Sequence, residues 1–296
     1  MSCVSPRTSF RMVQTVARVL ENHQVARDTW RLRLHAPEVA ARIMPGQFFM
    51  LRTPQGCDPL LGRPFALLDV AWSSDRAQSL PPDALDLGYV VVGKFTHWLT
   101  QQTPGRELVL WGPLGQGFPV LSAQHVTLVA GGIGQTPFVA VIREALGFQQ
   151  YGQPPRQIME RPRRISMCYG VRSRDYLAGC DWFQLPGVSL EIATNDGSTG
   201  YHGFVTDLLQ RQLASPDPPQ QILACGPEGM LRAVAQLARQ AGVPCWVSLE
   251  TPMACGIGAC FSCVVRVIQP DGSWDYRRSC LEGPVFSAEH LVFEGS

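Results

Sequence analysis

The stretch VTLVAGGIGQTPFVAVIREAL, residues 126 to 146, runs from an apolar segment through a glycine-rich turn into apolar residues at helical spacing. It predicts a buried strand, a turn and a helix, with Thr136 able to cap that helix and Pro137 suited to its first turn. Downstream the alternation continues: strands ISMCYGV (165–171) and VSLEIATND (188–196), helix FVTDLLQRQL (204–213), strand QILACGP (221–227), helix GMLRAVAQLARQAG (229–242) and strand CWVSLE (245–250). Strands that alternate with helices imply a parallel α/β sheet. Two proline-rich stretches, 151–164 and 215–220, read as surface loops.

Upstream the pattern differs. Six short strands, FRMVQTVARVLENHQV, TWRLRLHA, GQFFMLRT, ALLDVAW, LGYVVVG and ELVLWGPL, follow one another with Pro, Gly and Asp between them, and segment 73–86 reads as a polar loop. Close-set strands without helical period predict a small antiparallel barrel.

A third pattern closes the chain. TPMACGIGACFSCVV (251–265) sets Cys255, Cys260 and Cys263 at C-x4-C-x2-C, and Cys280 follows as a fourth candidate. That spacing is the one plant-type ferredoxins use for a [2Fe–2S] cluster. Gly256 and Gly258 let the loop turn backbone N–H groups toward anionic sulfur. A structural zinc is the rival, although zinc usually takes two pairs of cysteines from short turns. The last 45 residues form a unit too small to fold readily without a metal.

Composition limits the remaining possibilities. The chain has 296 residues, 45% hydrophobic and 17% charged, enough for two or three domains with cores of their own. Formal charge is +1 and the basic residues are scattered arginines with one lysine, Lys94, so no nucleic-acid partner is expected. The N-terminus lacks a signal-peptide pattern and no run of 18 apolar residues occurs, which predicts a cytoplasmic protein without membrane association. Ten cysteines fall short of a disulfide scaffold, and clustered ones in a reducing compartment act more often as ligands.

Two strand ends then mark a ligand site. The turn Gly131, Gly132, Gly134, Gln135 can present amides to a pyrophosphate, a weak signal by itself, and Cys225, Gly226 and Pro227 end a second strand where α/β sheets bind ligands. Arg63 ahead of a β segment can fork onto a phosphate. The six histidines show no pairing with serine or carboxylates that would demand acid–base catalysis.

RPFAL, YVVVGKFT, GPLGQGF, AGGIGQTPF, ATNDGSTGYHGFVTDLL, ACGPEGML and MACGIGACFSCVV with EGPVF occur in one order from about residue 12 to 290. In that order they resemble the electron-transfer subunit of heteromeric dihydroorotate dehydrogenase, one of the ferredoxin–NADP reductase-like flavoproteins. The resemblance implies a six-stranded antiparallel FAD-binding barrel at 10–121, a Rossmann-like parallel-sheet NAD-binding domain at 122–245 and a small [2Fe–2S] domain at 246–296. It assigns FAD to Arg63, Pro64, Phe65 and Ala66, to Gly88, Tyr89 and Val90, and to Phe95 and Thr96. Ala66 replaces a serine and Phe95 a glycine of the family pattern. NAD falls to Gly131 through Pro137 and to Cys225, Gly226 and Pro227, with Asp196, Gly197 and Ser198 as a nucleotide-contacting loop. Cys255, Cys260, Cys263 and Cys280 become the cluster ligands.

The implied function is electron transfer between NAD and an FMN-containing dihydroorotate dehydrogenase catalytic subunit, in a heterotetramer of two of each, for pyrimidine (UMP) biosynthesis. Dihydroorotate itself would bind the partner, leaving no catalytic residue here. Two other readings stay open on sequence: a subunit of a sulfhydrogenase or ferredoxin transhydrogenase complex, and a non-catalytic module with a zinc tail. NAD against NADP is also open, because Arg172, Ser173 and Arg174 could receive a 2′-phosphate.

Overall fold

The computed structural model describes residues 12–56, 58–74 and 77–293. Residues 10 and 11 of the expected barrel, 75 and 76 of the polar loop and 294–296 of the cluster unit lie outside the described residues.

The first domain contains β1 (Val13–Ala26), β2 (Thr29–His35), α1 (Pro37–Ala40), β3 (Phe48–Arg52), β4 (Arg63–Ala66), β5 (Asp69–Ala71), β6 (Ala84–Val90), α2 (Lys94–Thr100) and β7 (Glu107–Leu114). The strands form one antiparallel sheet in the order β4-β3-β7-β1-β2-β6-β5. Its two edge strands are consecutive in the chain, and the residues between them close the barrel: Leu67 N–H donates to Gln47 O and Leu68 N–H to Asp86 O. Counting 63–71 as one bent strand gives the six expected. Alternate residues fill the interior, Leu32 and Leu34 from β2, Phe49 and Leu51 from β3, Leu85 and Leu87 from β6, Leu108 and Leu110 from β7.

The second domain follows as β8 (His125–Gly131), α3 (Thr136–Leu146), β9 (Arg164–Val171), β10 (Val188–Thr194), β11 (Tyr201–His202), α4 (Val205–Leu213), β12 (Gln221–Cys225), α5 (Glu228–Ala241) and β13 (Cys245–Ser248). Strand order is β11-β10-β9-β8-β12-β13, parallel throughout. The chain winds outward from β8 in one direction and returns to start in the other, so a topological switch point lies between β8 and β12. Apolar side chains cover both faces, with Phe138 and Ile142 of α3 on one and Leu208 of α4 with Val234 of α5 on the other.

The last segment contributes a hairpin, β14 (Val264–Ile268) with β15 (Trp274–Arg278), then α6 (Ser279–Glu282) and β16 (Val285–Ser287). β16 pairs antiparallel with β13, and Leu291 and Phe293 enter the core of the second domain. The cluster segment is thus bracketed by two adjacent strands of the nucleotide sheet. No helix among the described residues is long and apolar enough to cross a membrane.

One local expectation is corrected. Thr136 does not cap α3: a 3₁₀ turn over Gly132–Gln135 leads directly into the helix, Gln135 takes the N-cap position, and the Thr136 hydroxyl has no partner among the described residues. Pro137 does sit in the first turn.

Candidate functional site: two cavities and a cysteine loop

The switch point brings the two glycine-bearing strand ends together. A Cβ on Gly134 would lie 2.2 Å from the carbonyl oxygen of Cys225, so the turn can rest on the end of β12 only as glycine. Gly226 in turn packs on the backbone of Gly131. On either side of this contact opens a cavity.

The larger cavity, about 920 Å³, is lined by Gly131, Gly132 and Pro227 of the sequence-predicted residues. Asp28, Thr29 and Val90 to Val92 supply its barrel side, and Arg172, Tyr176 and Asn195 lie further along the nucleotide domain. Asp196, Gly197 and Ser198 do not line it themselves. They form the adjoining turn, where Asp196 Oδ1 accepts Ser198 N–H at 3.0 Å and Ser198 Oγ accepts Arg174 N–H at 2.8 Å. Those contacts with Ser198 hold the Asp196 carboxyl below the usual carboxylate range.

The second cavity, about 440 Å³, lies between barrel and nucleotide domain and gathers Arg63, Pro64, Phe65 and Ala66, Gly88, Tyr89 and Val90, and Phe95 and Thr96. Gly134, Thr136, Pro137 and Cys225 face this cavity rather than the larger one. Gln135 is fully buried and lines neither. Arg63 is exposed, its guanidinium donating to the carbonyls of Leu61 and Gly62 in its own loop. Tyr89 turns its hydroxyl to Asn22 at 3.1 Å, and burial pushes its phenol above the ordinary range. Phe95 is 2% exposed, its ring packed on Phe65 and Trp98, so the residue that replaces a glycine points into the barrel core. The Thr96 hydroxyl accepts the amides of Val92 and Gly93 and fixes the entry to α2.

These walls suit a flavin. The hydroxyls of Thr136 and Thr251, both in the wall, are buried without a hydrogen-bond partner among the described residues, which a polar ring edge would satisfy. Arg63, exposed in the wall, can offer its guanidinium to a pyrophosphate. Ala66 offers no hydroxyl there.

Sequence reasoning missed Glu250. It follows β13 and lines both cavities; burial raises its carboxyl, and its charge contributes to pushing the Cys225 thiol up to about 12. Burial is the larger cause for Cys225, so the thiol is no nucleophile at neutral pH. The available signal was an acid at the carboxyl end of a parallel strand.

The four candidate cluster cysteines lie on the barrel's flank. Cys263 and Cys280 are buried in an apolar cluster with Phe48, Met50 and Leu114, while Cys260 is exposed. Gly256 and Gly258 have φ of +72° and +80°, and a Cβ on Gly258 would lie 2.4 Å from Leu281. Ile257 N–H points at Cys255 Sγ at 3.4 Å, as a loop that stabilises thiolates should. The thiols lie close enough to influence one another, Cys255 acting on Cys260 and both Cys263 and Cys255 on Cys280. Among the described residues no three Cys, His, Asp or Glu side chains close on one point. Three cysteines on one loop with the fourth on α6 follow the C-x4-C-x2-C…C pattern of a [2Fe–2S] site rather than the two short-turn pairs usual for structural zinc. Ser262 first, and Cys255 after it, bring the Cys260 thiol down to about 6; burial first, and Cys263 after it, raise Cys280 to about 12. Phe48 and Met253 belong both to the second cavity's wall and to the apolar cluster around Cys263 and Cys280, so second cavity and cysteine loop share a partition.

Known proteins resemble this chain along nearly its whole length. A family described as the iron-sulfur cluster binding domain of dihydroorotate dehydrogenase B matches residues 250–292, and an oxidoreductase NAD-binding domain matches 128–236. The dihydroorotate dehydrogenase B (NAD(+)) electron transfer subunit of Desulforamulus reducens is 36% identical over 94% of this chain and 98% of its own. A protein described as a homolog of that subunit, from Aquifex aeolicus, is 31% identical over 93% and 97%. Among solved structures, an NADH-dependent reduced ferredoxin–NADP oxidoreductase superposes with a TM-score of 0.76 at 27% identity, covering 95% of this chain and 91% of that one. A ferredoxin–NADP+ reductase from Neisseria gonorrhoeae, solved with FAD and NADP, shares the fold at a TM-score of 0.60 and 16% identity, over 77% and 92%. With relatives of this identity along nearly its whole length, the chain belongs to the family of dihydroorotate dehydrogenase B electron transfer subunits.

Proposed function

We infer that this protein carries electrons between NAD and an FMN-containing dihydroorotate dehydrogenase catalytic subunit, in pyrimidine biosynthesis, as one part of a heterotetramer. The observation that carries this reading is the shared wall: Val90, Ile133 and Glu250 line both the nucleotide cavity and the flavin cleft, and Phe48 and Met253 join the cleft to the cysteine loop. When bound, FAD supplies the exchange between two-electron hydride chemistry and single-electron transfer, which nicotinamide and cluster cannot perform between themselves.

The chain's own residues bind, orient and exclude water. Arg63 and the turn fixed by Thr96 hold the FAD phosphates, Gly88 to Val90 and Thr136 the ring. Gly131, Gly132 and Pro227 receive the nicotinamide nucleotide, with Asp196 to Ser198 at its far end. Cys255, Cys260, Cys263 and Cys280 ligate the irons, and the exposed side of the loop at Cys260 faces the partner.

Protein purified without oxygen should contain flavin, iron and acid-labile sulfide, and NADH should bleach the flavin. Co-expressed with the catalytic subunit, it should support dihydroorotate-dependent NAD reduction. Zinc without sulfide would sink the electron-transfer reading. The likeness to the reduced ferredoxin–NADP oxidoreductase supports a second reading, service in a ferredoxin-linked complex. Co-purification with a ferredoxin-using partner in place of an FMN subunit would select it.

A further inference from the structure

Asp69, the first residue of β5, is a buried carboxylate at the seam between barrel and nucleotide domain, 5% exposed. Its Oδ1 accepts hydrogen bonds from the Val70 N–H at 2.9 Å and the Tyr151 hydroxyl at 2.5 Å, and its Oδ2 accepts from Arg143 Nη1 at 2.5 Å. Arg143 lies in the last turn of α3 and Tyr151 just beyond the helix. Both side-chain partners of this barrel carboxylate therefore come from the nucleotide domain. Tyr151 itself, 2% exposed, and Ala140 of α3 are inserted into the barrel's apolar core.

Stability does not explain such a pair. Burial raises the Asp69 carboxyl, with Arg143 and the Tyr151 hydroxyl opposing it, and the desolvation of a buried ion pair commonly cancels its Coulombic gain. What it does provide is direction, since two hydrogen bonds from separate points on the nucleotide domain meet one carboxylate, whereas apolar contacts tolerate sliding. α3 carries that constraint to the site. At about 1.5 Å per residue Arg143 stands about 10 Å along the axis from Thr136. Thr136 and Pro137 line the flavin cleft, and the turn before them lines the nucleotide cavity.

We propose that Asp69 is a positioning residue: by holding Arg143 and Tyr151 it sets how α3 meets the barrel, and with it the approach of the nicotinamide to the flavin. This rests on the flavin and nicotinamide reading of the two cavities. Asp69 touches neither ligand, so its removal changes the rate of hydride transfer rather than the occupancy of either site.

The test uses the full chain with its partner subunit and follows flavin reduction by NADH in stopped flow. Limiting rate and half-saturating NADH are read separately, alongside flavin content and the long-wavelength charge-transfer band of reduced flavin with NAD. In Asp69→Asn the limiting rate should fall about tenfold or more and the band weaken, with flavin content and half-saturation held within about twofold. Tyr151→Phe should show a smaller fall. Arg143→Lys should recover most of the rate that Arg143→Leu loses. A flavin-replete Asp69→Asn protein with the native limiting rate overturns the proposal. Should that variant fail to fold, equal rates in Arg143→Lys and Arg143→Leu overturn it instead. A wild-type protein that NADH does not bleach would refute the reading of the cavities, an outcome visible before any variant is made.

Discussion

The indole N–H of Trp111 donates to the backbone carbonyl of Cys255 at 2.9 Å, tying barrel strand β7 to the first cysteine of the loop. The bond spans 144 residues of sequence and lies beside the apolar cluster around Cys263 and Cys280. Trp111→Phe keeps an aromatic ring there but leaves that carbonyl unpaired, a cost of about 1 kcal/mol. Cluster loss in air should accelerate severalfold in this variant, followed by the fading visible absorbance and by sulfide content. Flavin content should not change.

Cys280 and Cys245 are both buried thiols near the cluster segment, yet their surroundings differ. Cys280 contacts Cys263, whereas Cys245 on β13 packs in the nucleotide-domain core and burial alone pushes it up to about 12. Cys280→Ser should lose most of its iron and sulfide. Cys245→Ser should keep the full complement and lose roughly 1–2 kcal/mol of stability from the buried hydroxyl. The reverse pattern in metal analysis would refute Cys280 as the fourth ligand.

The fold was legible because its signals are periodic: alternating strand and helix for the nucleotide domain, six close strands for the barrel. Cysteine spacing likewise marked the loop that carries Cys255, Cys260 and Cys263, with Cys280 coming from α6. What escaped depends on contacts distant in sequence. Nothing near Asp69 announces that it will meet Arg143 and Tyr151, and Glu250 belongs to no motif. Phe95 shows the limit of reading a substitution by residue size, since a ring in place of a glycine suggests a blocked cleft, but the turn into α2 sends it to the core. Thr136 shows the same limit for capping, because a 3₁₀ turn ahead of a helix moves the cap and frees the hydroxyl.

Asp196 should decide between NAD and NADP. Its carboxyl is held below the usual range by Ser198 and stays ionised at neutral pH, one residue from Asn195 in the cavity wall. A fixed negative charge there repels a 2′-phosphate, opposing the attraction of Arg172 and Arg174. Asp196→Ser should lower the preference for NADH over NADPH about tenfold, measured as the ratio of kcat/KM values for flavin reduction. An unchanged ratio would place discrimination elsewhere.

His125 predicts how the nucleotide domain responds to acid. The ring is 3% exposed at the start of β8, with Nδ1 3.0 Å from Asp217 O and Nε2 3.0 Å from Ser166 Oγ. Burial, and then the charge of Arg164, lower its pKa below the ordinary 6.5, with Asp217 partly opposing them. The unfolded chain then binds the proton more readily than the folded one. The corresponding stability is complete above the unfolded value and is lost as pH falls through about 6.5 toward the lower folded pKa. In His125→Gln an amide keeps a hydrogen-bonding group near Ser166 without a titrating ring, at a cost of about 1 kcal/mol at pH 8. The melting temperatures of variant and wild type, compared from pH 8 to pH 5 on cluster-loaded protein, should therefore converge as the pH falls. Any acid loss of the cluster affects both proteins alike and drops out of the difference. A gap that stays constant across that range would mean that His125 does not titrate differently on folding.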